Sequence, residues 1–388
     1  MRAVARIDLD AVRGNLSRIR DLAGSADVMT VVKADAYGHG MVEISRVARD
    51  AGVTWLGVAL PSEALALRAS GDSGRILAWL WTPGDPDIEA CLRADVDISV
   101  SSSGALAEVV AAAQRTSTLA RVHIKIDTGL TRNGVAFNEV PAVLEACRAA
   151  MDEGILDVVG LWSHLADGDT PQADSVRVQR ECFEQALELA ASAGVRPAVR
   201  HLANSGALFA HPDCRYDLVR TGIALYGLTP SPALGTAEEL GLTPAMSLVA
   251  QLAHVKSVEA GTSVSYGWRW TAGSATQVGL VPVGYADGLP RAAGAPRTGP
   301  PIEVAIRGRR VPIVGTVAMD QCVVDLGAGS DATAGSEVVL FGPGRQGECS
   351  ADAWAETIGT IGYEVVTRIG PRVPREYVDR SQGKEGRA

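Results

Sequence analysis

The sequence predicts an α/β chain, an N-terminal (β/α)8 TIM-like barrel followed by a mainly β C-terminal domain. Three observations carry this expectation. Up to about Gly222, short apolar runs alternate with Ala/Leu/Glu/Arg-rich helical stretches. There are eight such runs, which fits a barrel of about 250 residues. After Gly241 the texture changes to strand-like runs separated by Gly/Pro turns.

The runs are Val28–Lys33, Trp55–Leu60, Arg75–Leu80, Val96–Val100, Arg121–Asp127, Asp157–His164, Val199–Asn204 and Asp217–Gly222. Helix candidates between them include Pro61–Ser70, Ser103–Gln114, Val140–Glu153 and Val176–Gly194. Short buried strands alternating with amphipathic helices imply parallel pairing through right-handed crossovers. A doubly wound open sheet is the competing architecture, but no G-x-G-x-x-G follows the first strand. The second domain contains AMSLVAQLAHVKSV, TQVGLVPVGYADG, PIEVAIRGRRVPIVGTVAMDQCVVDL and SEVVLFG, with Ala351–Ile358 its one helical stretch. The expected boundaries are 1–241 for the barrel, 242–380 for the β domain and 381–388 for a disordered tail, SQGKEGRA being polar and Gly-containing.

With 388 residues, of which 47% are hydrophobic, the chain is long enough for a sizeable core and more than one domain. No apolar stretch approaches the roughly 20 residues of a membrane span, and charges in MRAVARIDLD interrupt any signal-peptide core. A net charge of −9 argues against nucleic-acid or anionic-membrane partners. The six cysteines show neither C-x-x-C nor zinc-like spacing, so free thiols, a cytoplasmic location and no metal are expected.

A barrel carries its chemistry at the C-terminal ends of its strands. Here those ends hold Lys33 on the first strand, Lys125 and Asp127 on the fifth, and His164 on the sixth. The seventh carries His201, with Asn204 and Ser205 just beyond, and the eighth carries Arg220. A lone strand-end lysine is usually a solvated rim residue and a lone histidine a hydrogen-bonded core residue. All of them at one end read as a site. The same barrel rule puts a phosphate site after strands 7 and 8, where ANSGA and RTGIALYG supply Ser205 and the backbone around Gly222. A strand-end lysine beside a phosphate site points to pyridoxal 5'-phosphate held as a Schiff base.

The segment VVKADAYGHG (Val31–Gly40) resembles the pyridoxal-phosphate motif of the alanine racemase family. Further similar blocks follow in order: KIDTGLTRNGV, WSHLA, RHLANSGA, DLVRTGIALYG, VSYGWRW, VPVGYADGLPR, GTVAMDQ, IGYEVVTRI and RVPREY. The resemblance implies the barrel and β domain reached independently above. It also implies a homodimer with shared active sites, an amino-acid substrate, and interconversion of L- and D-alanine for cell-wall peptidoglycan.

By this resemblance Lys33 is the Schiff-base lysine and the base on one face of the substrate, and Tyr266 serves the opposite face from the partner subunit. Racemisation needs two bases flanking one α-carbon. A phenol ionises near about 10, so its surroundings must favour the phenolate. His164 and Arg220 match the residues behind that tyrosine, and Arg220 also matches the arginine on the pyridine nitrogen. Arg132 matches the arginine that contacts the cofactor's phenolic oxygen and the substrate carboxylate. Lys125 matches a lysine that many members carry as a carbamate, the other reading being an unmodified amine paired with a nearby acid. Tyr37, Ser205, Gly222, Ile223 and Tyr363 match the phosphate-binding set, and His201 and Asn204 match residues that support the cofactor. Met319 matches a substrate-carboxylate contact, and Tyr285 and Arg291 match residues of the substrate access path.

The family often reads G-R-x-C-M-D where this chain has GTVAMD, so Thr316 stands for a common Arg and Ala318 for a common Cys. The change at Thr316 leaves the chemistry in place and alters the charge pairing expected at the access path, with Asp169 as the candidate partner. A racemase of the same fold acting on serine or a range of small amino acids is therefore the nearest alternative. The chain carries the racemase SYG block and not the typical signatures of the fold-sharing decarboxylases, and single-barrel pyridoxal-phosphate-binding proteins lack a β domain.

Overall fold

A computed structural model of the chain describes residues 2–294 and 300–380, so the expected tail at 381–388 lies outside the described residues. The strands are β1 (Ala3–Asp8), β2 (Asp27–Val31), β3 (Trp55–Val58), β4 (Arg75–Ala78), β5 (Asp97–Val100), β6 (Ala120–Lys125), β7 (Leu156–Trp162), β8 (Val199–His201) and β9 (Leu218–Thr221). Strands β2 to β8 pair in sequence, all parallel, and β9 returns to pair with β2. Between β8 and β9 the ring is closed by single backbone bonds, Asp217 N to Arg200 O at 3.1 Å and Arg220 N to Ala203 O at 3.0 Å. This is the predicted eight-stranded barrel, with each apolar run in its expected place.

The alternation of side chains along each strand decides what lies outside and inside the ring. Leu56, Ile76, Ile98, Val122 and Ile124 pack outward in the main core with helix residues such as Leu16, Ile19, Ile44 and Leu67. Each such aliphatic side chain contributes about 1.5–3 kcal/mol by leaving water. Inside, Met29, Trp55, Leu77, Val159 and Leu218 form a small apolar cluster. Much of the remaining interior is polar, with Asp97, Ser99, His123, Lys125, His201 and Arg220 all buried.

The second domain contains β10 (Met246–Gln251), β11 (His254–Val258), β12 (Ser263–Val264), β13 (Trp270–Thr271), β14 (Thr276–Val281), β15 (Glu303–Ile306), β16 (Arg309–Val314), β17 (Cys322–Asp325), β18 (Glu337–Phe341) and β19 (Arg375–Val378). Its main sheet has nine strands in the order β11-β14-β17-β16-β15-β18-β10-β1-β19. Here the structure departs from a barrel beginning at residue 1. Strand β1 leaves the barrel and lies antiparallel to β10 and parallel to β19. Its alternating Ala3, Ala5 and Ile7 bury one face in a sheet whose other strands come more than two hundred residues later. A second difference is the short helix Gly362–Thr367, which carries Tyr363 to the barrel mouth.

Candidate active site

A cavity of about 1020 Å3 opens at the C-terminal end of the barrel. Lys33, Tyr37, Lys125, Arg132, His164, Asn204, Ser205, Arg220, Gly222, Ile223 and Tyr363 all line it, so one space gathers eleven of the residues singled out from sequence. His201 sits behind Arg220, fully buried.

Lys33 follows β2 and opens an unusual turn. Ala34, Asp35, Ala36 and Tyr37 all lie in the left-handed region, with φ between 52° and 54°. Each such residue costs roughly 1–2 kcal/mol, and surrounding bonds hold the strain. Glu63 accepts the Ala34 N–H at 2.6 Å, Asp35 accepts the Met41 N–H at 2.8 Å, and His39 Nδ1 donates to the carbonyls of Ala36 and Tyr37, both at 3.0 Å. Burial pushes the His39 imidazole down to about 4, so it stays neutral in this role. The turn lays the Tyr37 ring against Gly222, where a Cβ would come within 2.5 Å of the phenol oxygen, so no larger residue fits there.

The loops after β8 and β9 meet at Ser205. Its Oγ accepts the N–H groups of Gly222 at 3.0 Å and Ala224 at 3.5 Å, which leaves its own O–H to donate into the cavity. Tyr37 and Tyr363 face this corner with ring centroids 6.1 Å apart, and burial raises both phenols, so both remain O–H donors. Three hydroxyls around one corner suit a phosphate.

The cavity is strongly cationic. Burial and the charge of Arg132 lower the Lys33 ammonium, against an opposing effect of Glu63. Lys125, with Nζ 4.6 Å from the Trp162 ring centroid, is brought down to about 8 by burial and by Arg220 and Arg132. Burial and then the charges of Arg220, Arg132, Lys125 and Lys33 keep the His164 imidazole far below its ordinary value. Nearby acids are committed to backbone. Glu63 caps the N–H groups of Ala34, Ala59 and Leu60, and Asp127 accepts those of Gly129 and Thr131. Four basic side chains and these spent carboxylates call for an anionic occupant. Pyridoxal phosphate and an amino-acid carboxylate fit that requirement.

Arg220 is held without a carboxylate. Nη1 donates to His201 O at 2.9 Å and lies 3.3 Å from His201 Nδ1, while Nη2 donates to Ser163 O at 2.8 Å and Leu202 O at 3.1 Å and lies 3.3 Å from His164 Nδ1. Both Nη groups are thus taken up by the barrel floor, while the side chain also lines the cavity above it. Burial brings the guanidinium down to about 9, still cationic at neutral pH.

Tyr266, Tyr285 and Met319 are elsewhere. They are 70%, 40% and 53% exposed and do not line this cavity. Trp268, two residues from Tyr266, is 76% exposed as well. Backbone bonds from Tyr285 N to Ala318 O and from Ala286 N to Met319 O tie two of these loops together. Arg291 does not line the cavity either. Sequence reasoning passed over Trp79, Trp81 and Trp162 in the cavity wall, and Asp97 and His123 beneath it. The signal for His123 was present: Arg121, His123 and Lys125 alternate along β6 and so face the barrel interior together.

Residues 7–230 match the family model for the alanine racemase N-terminal domain, and residues 245–377 match that for the C-terminal domain. An alanine racemase of Beutenbergia cavernae is 51% identical over 97% of this chain and 98% of its own. A crystal structure of alanine racemase from D-cycloserine-producing Streptomyces lavendulae is similar with a TM-score of 0.94 and 48% identity, covering 98% of this chain and 97% of that one. Alanine racemase from Streptomyces coelicolor A3(2) has a TM-score of 0.93 and 48% identity, covering 97% and 98%.

Proposed function

The chain belongs to the alanine racemase family, and on that premise we propose that it is a homodimeric, cytoplasmic enzyme that interconverts L- and D-alanine with pyridoxal 5'-phosphate, supplying D-alanine for peptidoglycan. Among the described residues no helix is long and apolar enough to cross a membrane. The observation that carries the reading is the single cavity uniting Lys33 with three further cations and a hydroxyl-lined corner.

Tyr37, Ser205, Tyr363 and the backbone of Gly222 and Ile223 hold the phosphate. When bound, the cofactor supplies an electron-withdrawing system that makes the amino acid's α-proton acidic. Arg220 would meet the pyridine nitrogen; as a donor that stays charged, it would leave that nitrogen unprotonated. Arg132 receives the substrate carboxylate, together with the backbone N–H of the partner subunit's Met319. Lys33, its ammonium pKa lowered by burial, holds or removes the proton on one face. Tyr266 of the partner subunit serves the other face, with His164 and Arg220 behind it, and Tyr285 of the partner subunit borders the substrate. The exposure of Tyr266, Trp268, Tyr285 and Met319 supports this sharing, because a catalytic base left in open water on its own subunit could not discriminate faces. Lys125 bears a carbamate in this reading. Its neutral amine adds to carbon dioxide, forming an N–C bond and releasing one proton, and the resulting anion accepts hydrogen bonds from Arg132.

The test is chiral analysis of the purified protein with pyridoxal phosphate and single L-amino acids, with Lys33→Ala as control. Conversion of L-alanine to a near-equal mixture, well ahead of serine and lysine, is the expected result. Absence of any racemisation despite bound cofactor would refute the assignment.

A further inference from the structure

Beneath the cavity a line of buried polar side chains runs down the barrel interior. Arg220 Nη1 lies 3.3 Å from His201 Nδ1, His201 Nε2 lies 2.9 Å from His123 Nδ1, and His123 Nε2 lies 3.1 Å from Asp97 Oδ2. Arg75 Nη2 meets the same carboxylate oxygen at 2.5 Å, and Arg121 Nε meets Oδ1 at 2.7 Å. Asp97, His123 and His201 are wholly shielded from solvent.

We propose that Asp97 is a positioning residue which, through His123 and His201, sets the orientation of Arg220 at the floor of the active site. A carboxylate only accepts, so His123 must carry its proton on Nε2 and offer a lone pair from Nδ1. His201 must then carry its proton on Nε2 to donate to His123, and its Nδ1 lone pair is left facing Arg220. The acceptor at the bottom thus decides which atom meets the guanidinium at the top. Arg75 and Arg121 balance the buried charge from the rim, which lets Asp97 remain ionised while both imidazoles stay neutral. Burial pushes both histidines down, at His123 against the opposing effect of Asp97, and agrees with this assignment.

The path is built into the fold. His201 stacks on Trp162 with an interplanar angle of 3°, and His123 meets the edge of Trp55 at 81°, so neither ring can turn freely. Gly160 makes room for His123, because a Cβ there would lie 2.2 Å from Nδ1. A buried ion pair serving only the barrel floor would need Asp97, Arg75 and Arg121, but neither of the two histidines in series nor the glycine.

The inference rests on the racemase reading only for its catalytic consequence. Its direct test is 15N–1H NMR of the ring nitrogens in the cofactor-free protein, which has six histidines. Wild-type His123 and His201 should both be neutral and protonated at Nε2. In Asp97→Asn, whose carboxamide can donate or accept, His201 should shift to a mixture of tautomers. Arg75→Lys, which keeps the carboxylate, should leave the tautomer in place. A wild-type His201 protonated at Nδ1 or on both nitrogens, or one unmoved by Asp97→Asn, would overturn the proposal. Should Asp97→Asn not fold, Gly160→Ala interrupts the line without changing a polar group, and the wild-type spectrum decides by itself. In the loaded enzyme, Asp97→Asn should lower kcat about tenfold or more with KM within about twofold, the scale of orienting shells around bound groups. A wild-type protein with no racemase activity would defeat the functional reading while leaving the tautomer result standing.

Discussion

Thr316 donates its hydroxyl to the carbonyl oxygen of Tyr266 at 3.0 Å. The hydroxyl of Ser265 donates back to the Thr316 carbonyl at 2.6 Å, so two reciprocal bonds clamp the segment that presents the exposed phenol. Ser265 itself has φ of 63°, a conformation that needs holding. The threonine that stands for a common family arginine therefore has a task of its own here, fixing the tyrosine proposed as the second base. Thr316→Val should lose about 0.5–1.5 kcal/mol of stability and lower racemase kcat several-fold, while Thr316→Ser should retain most of both. Thermal unfolding and steady-state kinetics of the pair check this.

Gly222→Ala puts a methyl 2.5 Å from the Tyr37 phenol oxygen. The ring must move away from the phosphate corner, so affinity for pyridoxal phosphate should fall at least about tenfold, a loss of roughly 1.4 kcal/mol. Spectrophotometric titration of the cofactor-free protein measures it.

Lys125 must be neutral to take up carbon dioxide. With its pKa brought down to about 8, carbamate formation should rise as pH passes through 8, and 13C NMR after loading with labelled bicarbonate should show one new carbonyl signal that Lys125→Ala lacks. The stability linkage has the same sign. An ammonium that ionises near 8 when folded and near its ordinary 10.5 when unfolded makes the unfolded chain bind more protons between those values, so stability rises with pH across that window. A unmodified lysine held by an acid would give no labelled signal at any pH.

The fold was largely legible because its regular part obeys a simple period. Apolar strands such as Trp55–Val58 and Arg75–Ala78 sit between helices that leave one face apolar, and both faces of a parallel strand are covered. Strand β1 was not legible, since AVARID is short and its partners, Met246–Gln251 and Arg375–Val378, are remote in the chain. Nor did anything in ADAY announce four consecutive left-handed residues. That conformation is imposed by Glu63, Asp35 and His39, and only Gly38 and Gly40 hinted at an unusual backbone. The catalytic end of the barrel was readable from strand-end polar residues. Asp97 and His123 were overlooked because they lie inside strands, where a polar residue is easily taken for rim or noise, although their burial makes them the costliest groups to leave unpaired.

If the cavity of one subunit works only with Tyr266 of the partner subunit, mixing two differently disabled subunits should restore activity. Lys33→Ala and Tyr266→Phe, each inactive alone, would be exchanged into hybrid dimers, with exchange confirmed by tagged subunits. One of the two sites in each hybrid then holds an intact Lys33 and an intact tyrosine. Alanine racemisation should recover to about one quarter of wild type after random exchange of equal amounts. Confirmed exchange with no recovery would contradict it, placing both bases on the same chain.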